Sequence, residues 1–248
     1  MQDNLLKTYK AIIAYDGTDF LGFQIQAQGR TVQGVLEHRL AQMAKTSIRV
    51  VGAGRTDAGV HATGQVISFK LLWKHSTAKL EKALNATLPN DLVITTLTTT
   101  YDHFHPRFDA RSRQYRYTIL NQPHRDVIKQ RYVTHIARPL DVSRMQKASS
   151  LLLGTHDFAS FGRPPQGNNT IRTITQAEWL VDGSEIQFYV TANAFLYRMV
   201  RSIVGTLIQI GIGRMEVDDM KHVLQTKDRS KAGAPALTNG LCLINVNY

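Results

Sequence analysis

β-Branched and aromatic residues crowd Thr8–Tyr15 (TYKAIIAY) and stop at Asp16-Gly17, a turn signal, so the segment predicts a strand. Thr31 stands where an N-cap is expected. Behind it Val32, Val35, Leu36, Leu40 and Met43 recur at helical spacing, which predicts a helix to about Lys45. Ile48–Val51 predicts a short strand that runs into a glycine-rich loop, Gly52–Gly59, and Gln65–Leu71 predicts another strand. Ser76 opens a second helix, with Leu80, Ala83, Leu84 and Thr87 on one stripe, and Pro89 stops it. Leu92–Thr99, rich in Thr and Val, predicts a strand.

The second half repeats the mixture. Arg113–Leu120 alternates, with Tyr115, Tyr117 and Ile119 on one face and Gln114, Arg116 and Thr118 on the other. Asp141 caps a helix bearing Met145, Ala148, Leu151 and Leu152, which Gly154 ends. Ile171–Val181 and Glu185–Thr191 predict a hairpin around Asp182-Gly183. Leu196, Met199, Val200, Ile203, Val204, Leu207 and Ile208 give the most strongly periodic helix. Val217–Gln225 predicts a shorter helix and Leu241–Val246 a final strand.

Strands and helices do not alternate strictly, so an α+β fold with helices on antiparallel or mixed sheet is expected. Each half holds about the same elements, which suggests two similar subdomains, 1–104 and 105–248, with an active-site cleft between them.

Composition is that of a globular protein: 43% hydrophobic and 20% charged residues exclude a disordered or collagen-like chain. The single cysteine, Cys242, excludes an internal disulfide and any site needing several thiolates. No apolar run reaches the length of a membrane span. Met1-Gln2-Asp3-Asn4 has neither a basic nor an apolar signal region, so a cytoplasmic location is expected. Thirty Lys and Arg against nineteen Asp and Glu give a formal charge of 30 − 19 = +11. Such a surface attracts polyanions, nucleic acid first among them.

The most unusual stretch is Gly52-Ala53-Gly54-Arg55-Thr56-Asp57-Ala58-Gly59-Val60-His61-Ala62. A dinucleotide loop fails on context, because Asp57 replaces the third glycine and a strand follows. Two readings remain open. Asp57 can cap its own backbone in a glycine-rich turn, or Arg55 and Asp57 can present a cation and a carboxylate on one tight loop.

GAGRTDAGVHATGQV resembles the signature of the tRNA pseudouridine synthase A (TruA) family, and further matches run along almost the whole chain. They include Tyr15-Asp16-Gly17-Thr18 with Phe20, Gly22, Gln24 and Gln26, then Ala83-Leu84-Asn85 with Leu88-Pro89, and Phe104–Ala110. Tyr115-Arg116-Tyr117, Arg172-Thr173-Ile174, Ala192–Leu196, Met199-Val200-Arg201 and Gly240-Leu241 continue the series.

The resemblance implies the pseudouridine synthase fold and isomerisation of uridine in the anticodon stem-loop of tRNA, at positions 38, 39 and 40. Uracil leaves C1′ through N1 and returns through C5. The family's essential carboxylate falls on Asp57, acting on C1′, assisting loss of the base as a glycal, or adding to C6. Neither metal nor organic cofactor is implied. The family's MVR arginine falls on Arg201, where its charge would keep the carboxylate ionised. Read from the helix alone, Arg201 is a solvated residue off the apolar stripe. Tyr115 matches the tyrosine that packs on the target uracil; from pattern alone it is a core aromatic. Arg55 would help extrude the nucleotide, and Leu241 would wall the base. Arg107, Arg111, Arg113 and Arg116 suit phosphate contacts, although Arg111 and Arg113 also fit a solvated edge strand. His103 and His105 lack a cluster that would complete a metal shell. The family acts as a homodimer.

Three departures stand out: Pro106 in the usual FHARF, Ser202 after MVR, and the rewritten segment Ala232–Leu241. They leave room for a paralogue with altered target uridines. A non-catalytic RNA-binding protein on the same fold is the rival reading. A nucleotide-dependent transferase would need a complete phosphate loop, which the chain lacks.

Overall fold

The computed structural model describes residues 6–164 and 166–248. The stretch Met1–Asn4, read above for a signal, lies outside them. The chain forms two compact units: Met1–Ala110 with Leu243–Tyr248, and Arg111–Cys242. The seam expected at 104/105 thus falls at 110/111, and the end of the chain returns to the first unit.

In unit 1 the elements are β1 (Leu6–Tyr15), α1 (Val32–Ala44), β2 (Val51–Gly52), β3 (His61–Leu72), α2 (Thr77–Asn85) and β4 (Leu92–Thr100). β1 is central, antiparallel to both β3 and β4. Its buried Tyr9, Ala11, Ile13 and Tyr15 alternate with less buried neighbours, as a strand covered on one face requires. The β1–β3 register breaks between the pairs Ile13↔Gln65 and Tyr15↔Ala62. This irregularity lies where β3 emerges from the glycine-rich loop; bulges of this kind re-aim backbone beside functional sites.

The strand expected at Ile48–Val51 is only Val51–Gly52. The reason is helix α1. Val50 gives its N–H to Glu37 Oε1 (2.9 Å) and its carbonyl to Gln33 Nε2 (3.0 Å), so α1 side chains hold its polar backbone. The caps are as expected: Thr31 accepts from Gly34 N–H and Ser76 from Lys79 N–H.

Unit 2 contains β5 (Ser112–Asn121), β6 (Thr134–Ile136), α3 (Val142–Ser150), β7 (Gly154–Asp157), β8 (Ile171–Asp182), β9 (Glu185–Ala192), α4 (Met199–Gly211) and α5 (Asp219–Thr226). The strand order is β5-β9-β8-β7, all antiparallel, with β6 parallel to β5. β8 and β9 turn at Gly183 (φ 57°), as the Asp-Gly pair required. The final strand β10 (Leu241–Asn247) starts in unit 2, where the Gly240 carbonyl accepts Thr118 N–H (2.9 Å). Its later residues belong to unit 1, where a Cβ on Gly64 would lie 2.2 Å from Ile244 O. This is an α+β fold with a mixed sheet.

α4 packs on α3 and is buried at ten of its thirteen positions. Leu196, expected in this helix, precedes it, because Arg198 takes a left-handed conformation (φ 63°). Along α4 the rewritten segment 232–241 lies backbone to backbone: a Cβ on Gly205 would come 1.9 Å from Ala234 O. Gly205→Ala must push this contact apart. It is expected to cost about 1–3 kcal/mol and to lower the thermal midpoint by roughly 2–4 °C per kcal/mol, read by calorimetry.

Candidate active site

The loop after β2 is fastened from beneath. Ala53 N–H donates to Val66 O (2.8 Å), and Gln65 Nε2 donates to Gly54 O (2.9 Å). Thr56 is buried, its Oγ1 lies 2.8 Å from Tyr15 Oη, and its carbonyl accepts Phe23 N–H (3.1 Å). The Asp57 carbonyl then accepts Val60 N–H (3.1 Å), closing a tight turn in which Gly59 has φ 79°. The β1–α1 connection presses against this turn. A Cβ on Gly22 (φ 87°) would meet Thr56 O at 2.6 Å, and one on Gly17 would meet Val60 O at 2.0 Å. Glycine at both positions is what allows the approach.

Within Arg55-Thr56-Asp57 only the middle side chain is buried; Arg55 is exposed and Asp57 half-buried. The buried threonine anchors a turn that carries a cation and a carboxylate at the surface of unit 1. Arg107, also in unit 1, is half-buried, with its guanidinium 5.6 Å from the Phe108 ring.

Unit 2 holds the other expected residues. Tyr115, on β5 opposite Val190, is 9% exposed, and its ring meets Phe195 edge-on at 5.1 Å. Arg201 is the third residue of α4 and one of the three there not fully buried. Its Nε donates to Ala236 O (2.7 Å) and its carbonyl accepts Ala236 N–H (2.9 Å), so the helix and the rewritten segment share a two-point clasp. Leu241 is buried at the start of β10.

The four arginines divide. Arg111 is exposed. Arg116 is half-buried beside its cross-strand neighbour Tyr189, and its Nε has no hydrogen-bond partner. Arg113 corrects the sequence reading. It is buried on the face of Tyr115, and its Nη1 donates to Asn193 O (2.8 Å), so it braces the turn before α4 rather than lying on a solvated edge. On β5 the residue pairs with Ala192 of β9, which brings it beside the Asn193 carbonyl. His105, considered above as a metal ligand, turns Nδ1 toward the N–H groups of Arg107 and Phe108.

A family model described as tRNA pseudouridine synthase matches residues 11–109 and 148–248. The chain belongs to that family. Proteins named tRNA pseudouridine synthase A are similar to it over nearly their whole length. One from Geobacillus sp. (strain WCH70) is 44% identical over 244 residues, 98% of each chain. One from Leuconostoc citreum (strain KM20) is 43% identical, covering 97% of this chain and 96% of the relative. One from Bacillus subtilis (strain 168) is 42% identical, covering 96% and 98%. The matched stretches of the family model include Arg55, Asp57, Arg107, Arg201 and Leu241; Arg111, Arg113, Tyr115 and Arg116 fall between them.

Several supporting residues of this family member were not singled out from sequence. Tyr15 and Gln65 lie inside quoted motifs, and their signal was a polar group at a strand position that burial then makes costly to leave unpaired. Tyr117 looked like plain core. It is fully buried, its Oη lies 2.6 Å from Thr134 Oγ1, and it donates to Leu237 O (3.0 Å), tying β5 to β6 and to the 232–241 segment.

Burial pushes the Tyr117 phenol up to about 12, against smaller opposing effects of the Thr134 hydrogen bond and the Arg201 charge. The unfolded chain releases this proton near the ordinary tyrosine value, so above it the folded state binds more protons. Stability from this group is intact below the unfolded pKa of roughly 10 and falls as pH rises toward the folded value of about 12. Denaturant unfolding at successive alkaline pH values should show this decline, and Tyr117→Phe should reduce it.

Proposed function

We propose that this chain isomerises uridine to pseudouridine in the anticodon stem-loop of tRNA, at positions 38, 39 and 40, with Asp57 as nucleophile. The coarser statement, an isomerase acting on tRNA, follows from family membership. The finer reading rests on one observation: the Arg55-Thr56-Asp57 turn, fixed by Tyr15 and by glycine contacts, holds its carboxylate half-buried.

In this reading the Asp57 carboxylate forms a bond to C1′ of the ribose as the C1′–N1 bond breaks and the electron pair leaves with uracil. The base turns, C5 attacks C1′, and the carboxylate departs. The proton on C5 is lost and N1 gains one, so product and substrate are isomers and no external reagent is consumed. Arg201 serves to keep the carboxylate ionised, Tyr115 packs on the uracil, and Leu241 supplies apolar surface. Arg55 assists extrusion of the nucleotide. Arg107, Arg111 and Arg116 bind phosphates; Arg113 instead positions the turn at Asn193. The protein acts as a homodimer in the cytoplasm without metal or organic cofactor.

Asp57→Ala is expected to lower pseudouridine formation by at least about 10³-fold while tRNA affinity stays within a few-fold of wild type. The assay is nucleoside analysis of modified tRNA beside filter binding. Product formation by Asp57→Ala at the wild-type rate would remove Asp57 from the chemistry, and no product from wild type and variant alike would leave only the non-catalytic RNA binder. Mapping pseudouridine in tRNA from cells lacking the gene assigns the target positions and exposes any shift caused by the 232–241 segment. Affinity for tRNA should also fall steeply with added salt, because the contacts are to phosphates.

A further inference from the structure

Residues 101–109 of unit 1 form a turn that carries two exposed aromatic rings. Tyr101 is 60% exposed and Phe108 is 71% exposed, the most exposed aromatic residue among those described. A loose surface phenylalanine would call for no explanation, but this one is held. The N–H groups of Phe108 and Asp109 donate to His105 O (3.1 and 3.0 Å). His105 N–H and the Tyr101 hydroxyl both donate to Asp109 Oδ2 (3.0 and 2.6 Å), which holds the Asp109 carboxyl below the usual carboxylate range. Pro106 beneath is buried, and its carbonyl accepts the Tyr248 hydroxyl (2.8 Å).

The imidazole of His105 lies against one face of Phe108, with ring centroids 4.2 Å apart and planes 29° from parallel. The rings are therefore already stacked two deep, and Phe108 still presents most of its surface to solvent. Arg107 stands 5.6 Å from the Phe108 centroid, and His103 is exposed nearby in sequence. An exposed aromatic ring beside a guanidinium, on a chain of formal charge +11, matches a planar base attached to a phosphate backbone.

We infer that Phe108 is a stacking platform for an unpaired nucleobase of the RNA substrate, with Arg107 meeting a flanking phosphate. The inference rests on the proposed tRNA substrate and deepens it. It assigns a binding role to a residue outside the reacting groups.

The test uses the full chain and a set of anticodon stem-loop RNAs, each with one loop base replaced by 2-aminopurine. Stacking quenches this fluorophore. Wild type is expected to quench at least one position. Phe108→Ala and Phe108→Leu should lose that quenching and bind about tenfold or more weakly, the scale of one base–aromatic stack. Phe108→Trp should keep both. Equal quenching and affinity in wild type and Phe108→Ala would overturn the platform. So would Phe108→Leu behaving as wild type, since an apolar contact would then suffice. A change in sedimentation with unchanged RNA affinity would assign the surface to a second copy of this chain instead. The readout is binding, so it separates from the Asp57 test. Pseudouridine formed with no Phe108 effect rejects the platform alone, and Phe108-dependent quenching without product rejects the isomerase reading alone.

Discussion

The carboxylate loop keeps its shape because neighbouring backbone comes too near for any side chain to intervene. Gly17 and Gly22 press the β1–α1 connection onto residues 56–60, and the buried Thr56–Tyr15 hydrogen bond locks the turn from inside. The carboxylate of this loop is Asp57. Here the pinning is done by Thr56, one residue earlier, with the Gln65 amide holding Gly54. The scaffold below Arg55 and Asp57 is thereby fixed by neighbouring residues.

A second clasp of the same kind operates in unit 2. Arg201 is bound to Ala236 through both its backbone carbonyl and its Nε, and Gly205 admits the Ala234 carbonyl against the helix. Tyr117 adds a hydrogen bond to Leu237, and the Asn239 amide donates to Gln130 O (2.8 Å) and Val133 O (2.7 Å). The path of the 232–241 segment is therefore set by backbone contacts, although its sequence departs from the family pattern. Side chains there are free to differ where the backbone is not, as at Leu237, which is 63% exposed.

Much of this was legible in the sequence, and the exceptions have physical reasons. Periodic segments with caps, such as α1 behind Thr31 and α3 behind Asp141, carry their own boundaries. So does the β8–β9 hairpin, whose turn needs an Asp-Gly pair. β6 and β7 escaped notice because three or four residues are too few to show a period; only their partners β5 and β8 define them. α4 begins later than its apolar spacing suggested because the left-handed Arg198 interrupts the helix, and spacing does not register a dihedral angle. Arg55, Asp57, Tyr115 and Arg201 were singled out through motifs. The burial of Arg113 was not, since it depends on the pairing with Ala192 of β9 that brings its guanidinium to the Asn193 carbonyl.

Unit 1 is discontinuous in the chain, and unit 2 is not. The terminal residues 243–248 complete the first unit, where Tyr248 packs on Phe104 at 5.1 Å and covers the Lys10 ammonium at 3.9 Å from its ring centroid. During synthesis, residues 111–242 emerge as an uninterrupted block that can fold while the first unit still lacks its closing segment. The half that carries the carboxylate loop therefore waits for residues 243–248, which are synthesised after all of unit 2. Truncating those few residues would strike the oldest part of the nascent polypeptide, more than a hundred residues away along the chain.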